Sequence, residues 1–548
     1  MAKKQLLTRI FCEDINKLFF ACGILSMIII KFFLIRNSEV VGHPRDSLLY
    51  TLMADQNIWF PTNKAKAIID YMPGYPIFIM VSNFLNFSLR ISHEIFYTIS
   101  NILLVFSFRL LKIPRYICLV IFAVLTFHIT TFLWFNIILT ETIAISLYHI
   151  LLALTVITVM SENLAKKLIF SVPGGLCLGI IFITRPEQIV FLLSYLVVFA
   201  ILVLRNRMNI ARAIREALPI CIIPIAISLL ITTVFTLLNA FFLELPALSI
   251  SNSSAFKETF SQIQSIDDGQ NIDDFEFVNI NRQQLKMAYQ VSPTLNQVKP
   301  LIEEELARRI TRLGGKDTTN IEVAIDWVYW STIEAIRRSN LTEDRSMYQV
   351  FTQINSELQE AFNDKRINRK TFSFDDIDIG FWLNKFPHSL TEMSGYLFLP
   401  RVSSKKLLQN TDDPRVTPEM RSIVNRVAHR RTYLVNQPDL NKDLIFYLNW
   451  LTPLIQIINI IGMISFVILL VYYLVKPVHS QLLNQYTLII SFALSIILLR
   501  LFLYIAVDMA FFPAPSRYLF PSNPLLSALS ILNLYVTTKL LRSFRFSA

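Results

Sequence analysis

Long apolar segments dominate both ends of the chain and frame one long polar stretch. Runs of 17 or more apolar residues recur before residue 244 and after residue 443, and each is long enough to cross about 30 Å of hydrocarbon. We predict about ten membrane-spanning helices. The first ends at Ile35, and the others lie near 94–111, 116–135, 139–160, 168–184, 188–204, 217–243, 445–474, 484–508 and 521–538.

One further apolar run, PIFIMVSNFLNFSL at 76–89, is shorter and carries two serines and two asparagines. Its length is more typical of a helix lying in the membrane interface than of a span. The basic loops at 109–115, 161–168 and 205–215 support this prediction, because all three face the cytoplasm only if the run does not cross. The basic tail at 539–546 then lies on the same side.

The polar stretch predicts a soluble domain inserted before the last three spans. We therefore expect an all-α polytopic membrane protein in three parts. These are an N-terminal transmembrane module over 1–243, a large, mainly helical extramembrane domain over 244–443 and a C-terminal transmembrane module over 444–548. The first external loop covers 37–94.

Composition and charge agree with a membrane protein and give no support to a nucleic-acid partner. The chain is 53% hydrophobic and 17% charged, against about 25% charged in soluble domains. Its net charge is +11, yet residues 244–443 hold 25 basic and 28 acidic residues, leaving 26 basic and 12 acidic residues beside the lipid. This distribution follows the positive-inside rule. The five cysteines all precede residue 244 and form no CxxC or Cys/His cluster, so neither zinc nor a disulfide framework is indicated.

The N-terminus carries basic residues before its apolar run but no small-residue cleavage site. We predict an uncleaved anchor with both chain termini in the cytoplasm. The conspicuous polar motifs then all face the extracytoplasmic side. They are the first loop, NIILTE ending at Glu141, TRPEQ at 184–188, the extramembrane domain over 244–443, which we call the polar domain, and the segment 508–524.

The motif HPRD, with His43, Arg45 and Asp46, follows the first span directly. Pro44 suits the first turn of a helix, which places Asp46 at the positive end of the helix dipole. The aspartate either stabilises the helix end or is a carboxylate kept ionised, ready to take a proton from a hydroxyl. Asp55 and Asp70 are weaker candidates for such a base.

Two arginines occur in extracytoplasmic loops, where the positive-inside rule makes them scarce. Arg185 lies in ITRPEQ beside Glu187, and Arg517 lies in PSRYLFPSNP beside Tyr518. An anionic ligand such as a phosphate at the membrane surface would account for both. Arg500, inside the ninth span, either faces a cavity or extends to the surface.

Four further positions have a structural and a functional interpretation. Glu141 is either a polar wall of the same pocket or a plain loop residue. Tyr75 lies in YMPGYP, which is a turn, and its ring could also anchor at the interface or stack on a sugar. Trp327 and Trp330, in the amphipathic segment 322–339, favour a domain core over a carbohydrate platform.

These motifs together resemble the GT-C superfamily of membrane glycosyltransferases. The similarity rests on the acidic first loop, PGYP before an interfacial helix, LTE and TRPE at the starts of spans, and SRYLFPSNP before the last span. Within this superfamily, the sequence is similar to relatives of protein O-mannosyltransferases and of lipid A aminoarabinose transferases. It covers about the first 245 and the last 45 residues, and not the polar domain.

The resemblance implies an inverting transfer from a polyprenyl-phosphate sugar to a hydroxyl of a glycan, glycolipid or protein. Asp46 would be the general base, and Arg185 and Arg517 would hold the donor phosphate. The remaining residues expected around the substrate are His43, Arg45, Tyr75, Glu141, Glu187, Arg500 and Tyr518. Family members often carry a second carboxylate beside the first, whereas Arg45 and Ser47 flank Asp46 here, so dependence on Mg²⁺ or Mn²⁺ stays open. The membrane would be the cytoplasmic membrane of a bacterium or the ER membrane of a eukaryote.

Three other classes of protein remain open. A ligase or polymerase using polyprenyl diphosphate donors would also need external arginines. A lipid or solute transporter usually has internal repeats and polar groups at the membrane midplane, and the sequence shows no repeat. An accessory protein could keep the scaffold without catalysis, in which case replacement of Asp46 would leave its function intact.

Overall fold

The computed structural model describes most of the chain. The described residues are 2–36, 38, 40, 46–59, 69–206, 209–269, 279–312, 323–342, 345–370, 379–398, 422–423, 426–427, 442–475, 481–510 and 516–545. His43 and Arg45 lie outside them.

Helices make up nearly all of the described secondary structure. In chain order they are α1 Ala2–Ile35, α2 Asp46–Asp55, α3 Gly74–Phe84, α4 Leu89–Leu110, α5 Arg115–Thr126, α6 Ile129–Trp134, α7 Glu141–Met160, α8 Leu164–Phe182, α9 Gln188–Arg205, α10 Ile210–Ala217, α11 Ile223–Leu243, α12 Ser254–Gln264, α13 Arg282–Val291, α14 Pro293–Arg312, α15 Ile325–Arg338, α16 Met347–Asn363, α17 Ile379–Phe398, α18 Lys442–Val475, α19 Gln481–Ala510 and α20 Asn523–Arg545. Short 3₁₀ turns cover Ile250–Asn252, Asn340–Thr342 and Ser516–Ser522, and a π turn covers Leu218–Ile222. The two-residue strands β1 Asn279–Ile280 and β2 Val323–Ala324 pair antiparallel.

In the described part of the chain, ten helical segments are long and apolar enough to cross a membrane, which makes this an integral membrane protein. They are Asp14–Ile35, Leu89–Leu110, Arg115–Phe132, Glu141–Met160, Leu164–Phe182, Gln188–Arg205, Ile210–Leu243, Trp450–Leu469, Asn484–Met509 and Arg517–Leu541. The predictions of an all-α polytopic protein and of about ten spans are therefore confirmed. Helix α3 has 11 residues and does not count among them.

The described residues form two large hydrophobic cores. One fills the bundle of spanning helices, and the other lies between the helices α12 to α16 of the polar domain. Ile69, from the end of the first loop, belongs to the second core. Helix α17 joins the first core through Met393 and Leu397, and Asn523 donates hydrogen bonds of 2.9 and 2.8 Å to the carbonyls of Tyr396 and Leu397.

The helix directions divide the bundle into two ends. Helices α7 and α20 begin at one end, where α8, α11 and α19 finish, and we call this the site end. The connections from α4 to α5, from α7 to α8 and from α9 to α10 lie at the opposite end, and they coincide with the three basic loops of the sequence. The polar domain follows α11 and therefore leaves the bundle at the site end.

Close packing of α8 on α11 depends on two glycines spaced four residues apart. Gly175 faces Ile227 and Gly179 faces Ile231, with so little room that a Cβ on Gly175 would lie 2.7 Å from the Ile227 Cβ. Small residues at this spacing let helix backbones approach closely in lipid, where van der Waals packing supplies much of the association energy. Gly174 is adjacent but faces Leu154 at an ordinary 4.0 Å.

We expect Gly175→Ala to lower the apparent Tm of the detergent-solubilised protein, because overpacking costs typically about 1–3 kcal/mol. Gly174→Ala is the matched control and should leave the Tm unchanged or slightly higher, since alanine also favours the helix. Thermal unfolding followed by intrinsic fluorescence measures both variants. Equal Tm values for Gly175→Ala and Gly174→Ala would contradict the close packing of Gly175 against Ile227.

Candidate functional site

A cavity of about 430 Å³ opens at the site end of the bundle, between the spans and the polar domain. Its walls come from the first loop, the entrance of α7, the turn between α8 and α9, the end of α19, the turn before α20 and two elements of the polar domain. The lining residues are Asp46, Tyr50, Asp70, Tyr71, Met72, Leu139, Thr140, Glu141, Thr184, Arg185, Pro186, Ser249, Ser251, Asn252, Trp330, Tyr504, Val507, Arg517 and Tyr518. We call it the site cavity.

Asp46 is the first residue of α2 and points a partly exposed carboxylate at the site cavity. Its Oδ1 accepts a hydrogen bond of 2.8 Å from the Tyr71 hydroxyl, and its Oδ2 lies 2.9 Å from Arg517 Nη2. The neighbouring Ser47 hydroxyl donates to the Ile138 carbonyl at 2.9 Å, which fixes the start of α2 against the entrance of α7. A carboxylate held in this way has a defined direction as a proton acceptor.

Arg185 lies in the turn between α8 and α9, and its guanidinium contacts acidic and hydroxyl groups on several sides. Glu187 Oε1 lies 2.6 Å from Nη2, and Glu141 Oε2 lies 3.3 Å from Nη1. The Thr140 hydroxyl accepts from Nη1 at 2.9 Å, and the Tyr504 hydroxyl accepts from Nη2 at 3.1 Å. Arg185 is therefore buried in a fixed orientation in the cavity wall.

Glu187 joins the loop after α8 to the ninth span. Arg500 Nε lies 3.1 Å from its Oε2, Tyr148 donates to Oε2 at 2.9 Å, and Tyr504 donates to Oε1. Burial alone would raise the pKa of the Glu187 carboxyl, but Arg185 and Arg500 overcome this effect and lower the pKa to about 2. Arg500 is fully buried and faces this carboxylate behind the cavity wall, so it does not extend to the surface.

Arg517 lies on the 3₁₀ turn before α20 and bridges two carboxylates. Besides Asp46 it approaches Glu141, with 3.8 Å between Nε and Oε1. Its guanidinium lies 5.2 Å from the centre of the Tyr518 ring, and that ring stacks on Tyr504 at 4.9 Å. The side chain of Arg517 remains 14% exposed, which is more than that of Arg185 at 4%.

The polar domain supplies the remaining wall. Arg337 of α15 forms an ion pair with Asp70 Oδ1, and the Asp70 side chain is completely buried. The Trp330 ring lies 5.6 Å from the Tyr71 ring, which in turn lies 4.7 Å from the Tyr50 ring. Burial and the nearby Asp46 raise the pKa of the Tyr50 hydroxyl well above its usual range, so this phenol stays neutral.

The residues that the sequence predicts for the site lie in three kinds of place: in the cavity wall, directly behind it, and away from it. Asp46, Glu141, Arg185, Arg517 and Tyr518 line the site cavity, while Glu187 and Arg500 lie directly behind it. Tyr75 lies elsewhere, because it is fully buried with its hydroxyl 3.0 Å from His93 Nε2. Asp55 does not line the cavity, and its Oδ1 lies 2.8 Å from Arg426 Nη2. His43 and Arg45 lie outside the described residues.

The sequence does not predict that Tyr50, Trp330, Arg337 and Tyr504 belong to this site. It offers Asp70 as a weaker candidate base, but it does not reveal the ion pair with Arg337, which lies 267 residues away without any local pattern that connects the two. Tyr71 shares the YMPGYP turn with Tyr75, and the turn alone does not show which ring faces the cavity.

A divalent cation is not favoured by the described side chains. Within the described ranges no three His, Cys, Asp or Glu side chains converge to hold a metal ion. The carboxylates of Asp46 and Glu141 are instead directed at Arg517 and Arg185.

The chain matches no family model, no curated protein and no solved structure in the comparisons made. The described site sets the partly exposed carboxylate of Asp46 beside the partly exposed Arg517 in a cavity walled by aromatic rings.

Glu187→Gln should destabilise the protein strongly, because it leaves Arg185 and Arg500 buried without their shared counter-charge. Breaking a buried pair costs about 3–5 kcal/mol, so the Tm in detergent should fall by several degrees. Asp46→Asn, at a partly exposed position, is the matched comparison and should change the Tm much less. A smaller Tm change for Glu187→Gln than for Asp46→Asn would contradict this ranking.

The effect of Glu187→Gln on the Tm should also depend on pH. A carboxyl whose pKa is lowered on folding stabilises the protein above its unfolded pKa and loses that contribution as the pH falls through its folded pKa. The difference in Tm between wild type and Glu187→Gln should thus be constant from pH 8 to about 5 and shrink between about pH 4.5 and 2.

Proposed function

We propose that the protein is a GT-C-like glycosyltransferase that moves a sugar from a polyprenyl-phosphate donor to an acceptor hydroxyl. The observation that supports this most directly is the pairing of Asp46 with Arg517 in one cavity, across 471 residues of sequence. A proton acceptor and a cation side by side suit a reaction that removes a proton from one group and releases a phosphate from another.

The position of the site cavity suits a donor that is half lipid. The cavity lies at the ends of spans, where the phosphate of a polyprenyl lipid would be placed by its own hydrocarbon tail. The basic loops at the opposite end of the bundle support a cytoplasmic location for that end. We therefore propose that the cavity and the polar domain face the extracytoplasmic side.

The reaction balances with Asp46 as the base. Its carboxylate takes the proton of the acceptor hydroxyl while the oxygen attacks the anomeric carbon from the face opposite the phosphate. The bond from that carbon to the phosphate oxygen breaks, its electrons stay on the phosphate, and the configuration at the anomeric carbon inverts. A positioned base of this kind contributes about 10²–10⁴-fold to the rate.

Arg517 couples the two halves of the reaction. In the described site it is shared between Asp46 and Glu141. When Asp46 becomes neutral by taking the proton, its hold on Arg517 weakens just as negative charge increases on the leaving phosphate. The guanidinium then stabilises the transition state more than the ground state, which is the condition for catalysis.

Arg185 has a different role in this proposal. Its contacts with Glu141, Glu187 and Tyr504 leave it little freedom to move toward a ligand. It contributes fixed positive potential to the cavity wall, while Arg517, which is more exposed, makes the direct phosphate contact. A fixed cation needs no reorganisation during the reaction.

Asp46→Asn should reduce transfer of a radiolabelled sugar from polyprenyl-phosphate sugars by at least about 10²-fold, because asparagine cannot accept the proton. The assay uses the purified protein in lipid, with a panel of polyprenyl-phosphate hexoses and pentoses. Asp55→Asn is the matched control, since Asp55 ends the same helix, pairs with Arg426 and does not line the cavity.

Transfer that survives in Asp46→Asn would refute Asp46 as the base. Transfer from polyprenyl diphosphate donors alone would favour a ligase, and movement of the labelled lipid across the bilayer without transfer would favour a transporter.

Arg517→Lys keeps the positive charge but loses the planar pair of donors. We expect kcat/KM for the donor to fall by at least about tenfold, with a reduced kcat, because the contact that strengthens in the transition state is lost. Steady-state kinetics, with whichever donor of the panel supports transfer by the wild type, measures the change. An unchanged kcat with a higher KM would show that Arg517 only binds the donor.

A further inference from the structure

One wall of the site cavity is an aromatic surface that begins at the proposed base. The Tyr71 hydroxyl donates to Asp46 at 2.8 Å, and its ring packs at 5.6 Å against Trp330 of the polar domain. Both rings line the cavity, and Trp330 is only partly buried. An acceptor whose hydroxyl reaches Asp46 can therefore also contact this surface.

Polar groups line the cavity beside these rings. Asp70 is 1% exposed, and its Oδ2 has no hydrogen-bond partner among the residues described. A buried carboxylate oxygen without a donor is costly, so a ligand hydroxyl that donated to this oxygen would remove that cost. Ser249, Ser251 and Asn252, linked by hydrogen bonds of 3.0 and 3.1 Å, add further hydroxyl and amide groups.

These groups are held rigidly relative to the base. The backbone N–H of Ile250 donates to the Ile69 carbonyl at 2.9 Å, which ties the serine-rich turn to the residue before Asp70. Arg337 pairs with Asp70 from α15, the helix that also carries Trp330. The first loop and the polar domain thus form one surface, with the base at one edge of it.

We infer that this surface is a carbohydrate subsite and that the acceptor of the proposed reaction is a glycan. A pyranose ring has one or two apolar C–H faces and a rim of hydroxyls. Its face would pack on Tyr71 and Trp330, and its hydroxyls would donate to Asp70 and exchange hydrogen bonds with the serine-rich turn. This inference rests on the proposed function for the identity of the base.

The arrangement fits a sugar better than the other acceptors considered. A serine or threonine side chain has a single hydroxyl and no flat apolar face for the two rings. A lipid chain would cover the rings but leave the open oxygen of Asp70 without a donor. Only an acceptor with adjoining apolar and hydroxylated surfaces satisfies both walls.

The test measures binding and needs no turnover. Saturation-transfer NMR is recorded with the full-length protein in lipid nanodiscs, using as probes the methyl glycosides of glucose, galactose, mannose and N-acetylglucosamine and a serine-containing hexapeptide. We expect saturation of ring C–H protons in at least one glycoside. Trp330→Ala should weaken that binding about tenfold, which corresponds to the loss of about 1.4 kcal/mol, and Trp330→Phe should retain most of it.

Trp327→Phe is the matched control for Trp330→Phe, because Trp327 lies three residues earlier on the same helix and does not line the cavity. It should bind the glycoside like the wild type. Thermal unfolding must show that Trp330→Ala is folded; if it is not, Trp330→Leu, which has no aromatic face but leaves a smaller void, is compared with Trp327→Leu, and equal binding in these two variants overturns the inference.

Absence of saturation transfer to every glycoside, or equal binding to wild type and folded Trp330→Ala, would overturn the inference. Binding of the peptide but of no glycoside would also overturn it. The result is separable from the proposed function, because glycoside binding that depends on Trp330 can be measured in Asp46→Asn. If that binding persists while Asp46 proves dispensable for transfer, the subsite stands and the assignment of the base fails.

Discussion

The buried carboxylate of Glu187 is the contact on which the rest of the site depends. Two arginines from distant parts of the chain, Arg185 and Arg500, share it, and Tyr148 and Tyr504 donate to it. Two arginines this close together would repel each other in a poorly hydrated bundle without the shared anion. The ninth span, the turn after α8 and the entrance of α7 therefore meet at one charged point, and the walls of the cavity are built around it.

Arginine suits this position better than lysine for a physical reason. A guanidinium presents five donors in one plane and is more weakly hydrated than an ammonium group, so it can serve several acceptors in a buried place at lower cost. Arg185 uses this property fully, since it contacts Glu141, Glu187, Thr140 and Tyr504 at once. The same pairing leaves the described charges near the cavity roughly balanced, which reduces the cost of burying them.

Much of the architecture could be predicted from sequence, because a span needs only a local run of apolar residues to be recognised. The candidate arginines could also be found, since cations are scarce on the side where these loops were placed. The contribution of the polar domain could not, because the pairs Asp70–Arg337 and Tyr71–Trp330 join segments more than 250 residues apart. Such contacts leave no periodicity in either segment. The sequence also did not show which tyrosine of YMPGYP faces the cavity, because Tyr71 and Tyr75 both flank one turn and only the direction of that turn in the fold separates them.

The contact between Asp46 and Arg517 also has a consequence for biosynthesis. The two residues are 471 positions apart, and at 5–20 residues per second the ribosome needs roughly 25–95 s to travel from one to the other. During that interval the first loop has been translated but lacks its partner from the last span. A nascent chain, or one truncated before the tenth span, therefore holds the proposed base without the cation beside it. The site can therefore assemble only after the segment that carries Arg517 has been synthesised.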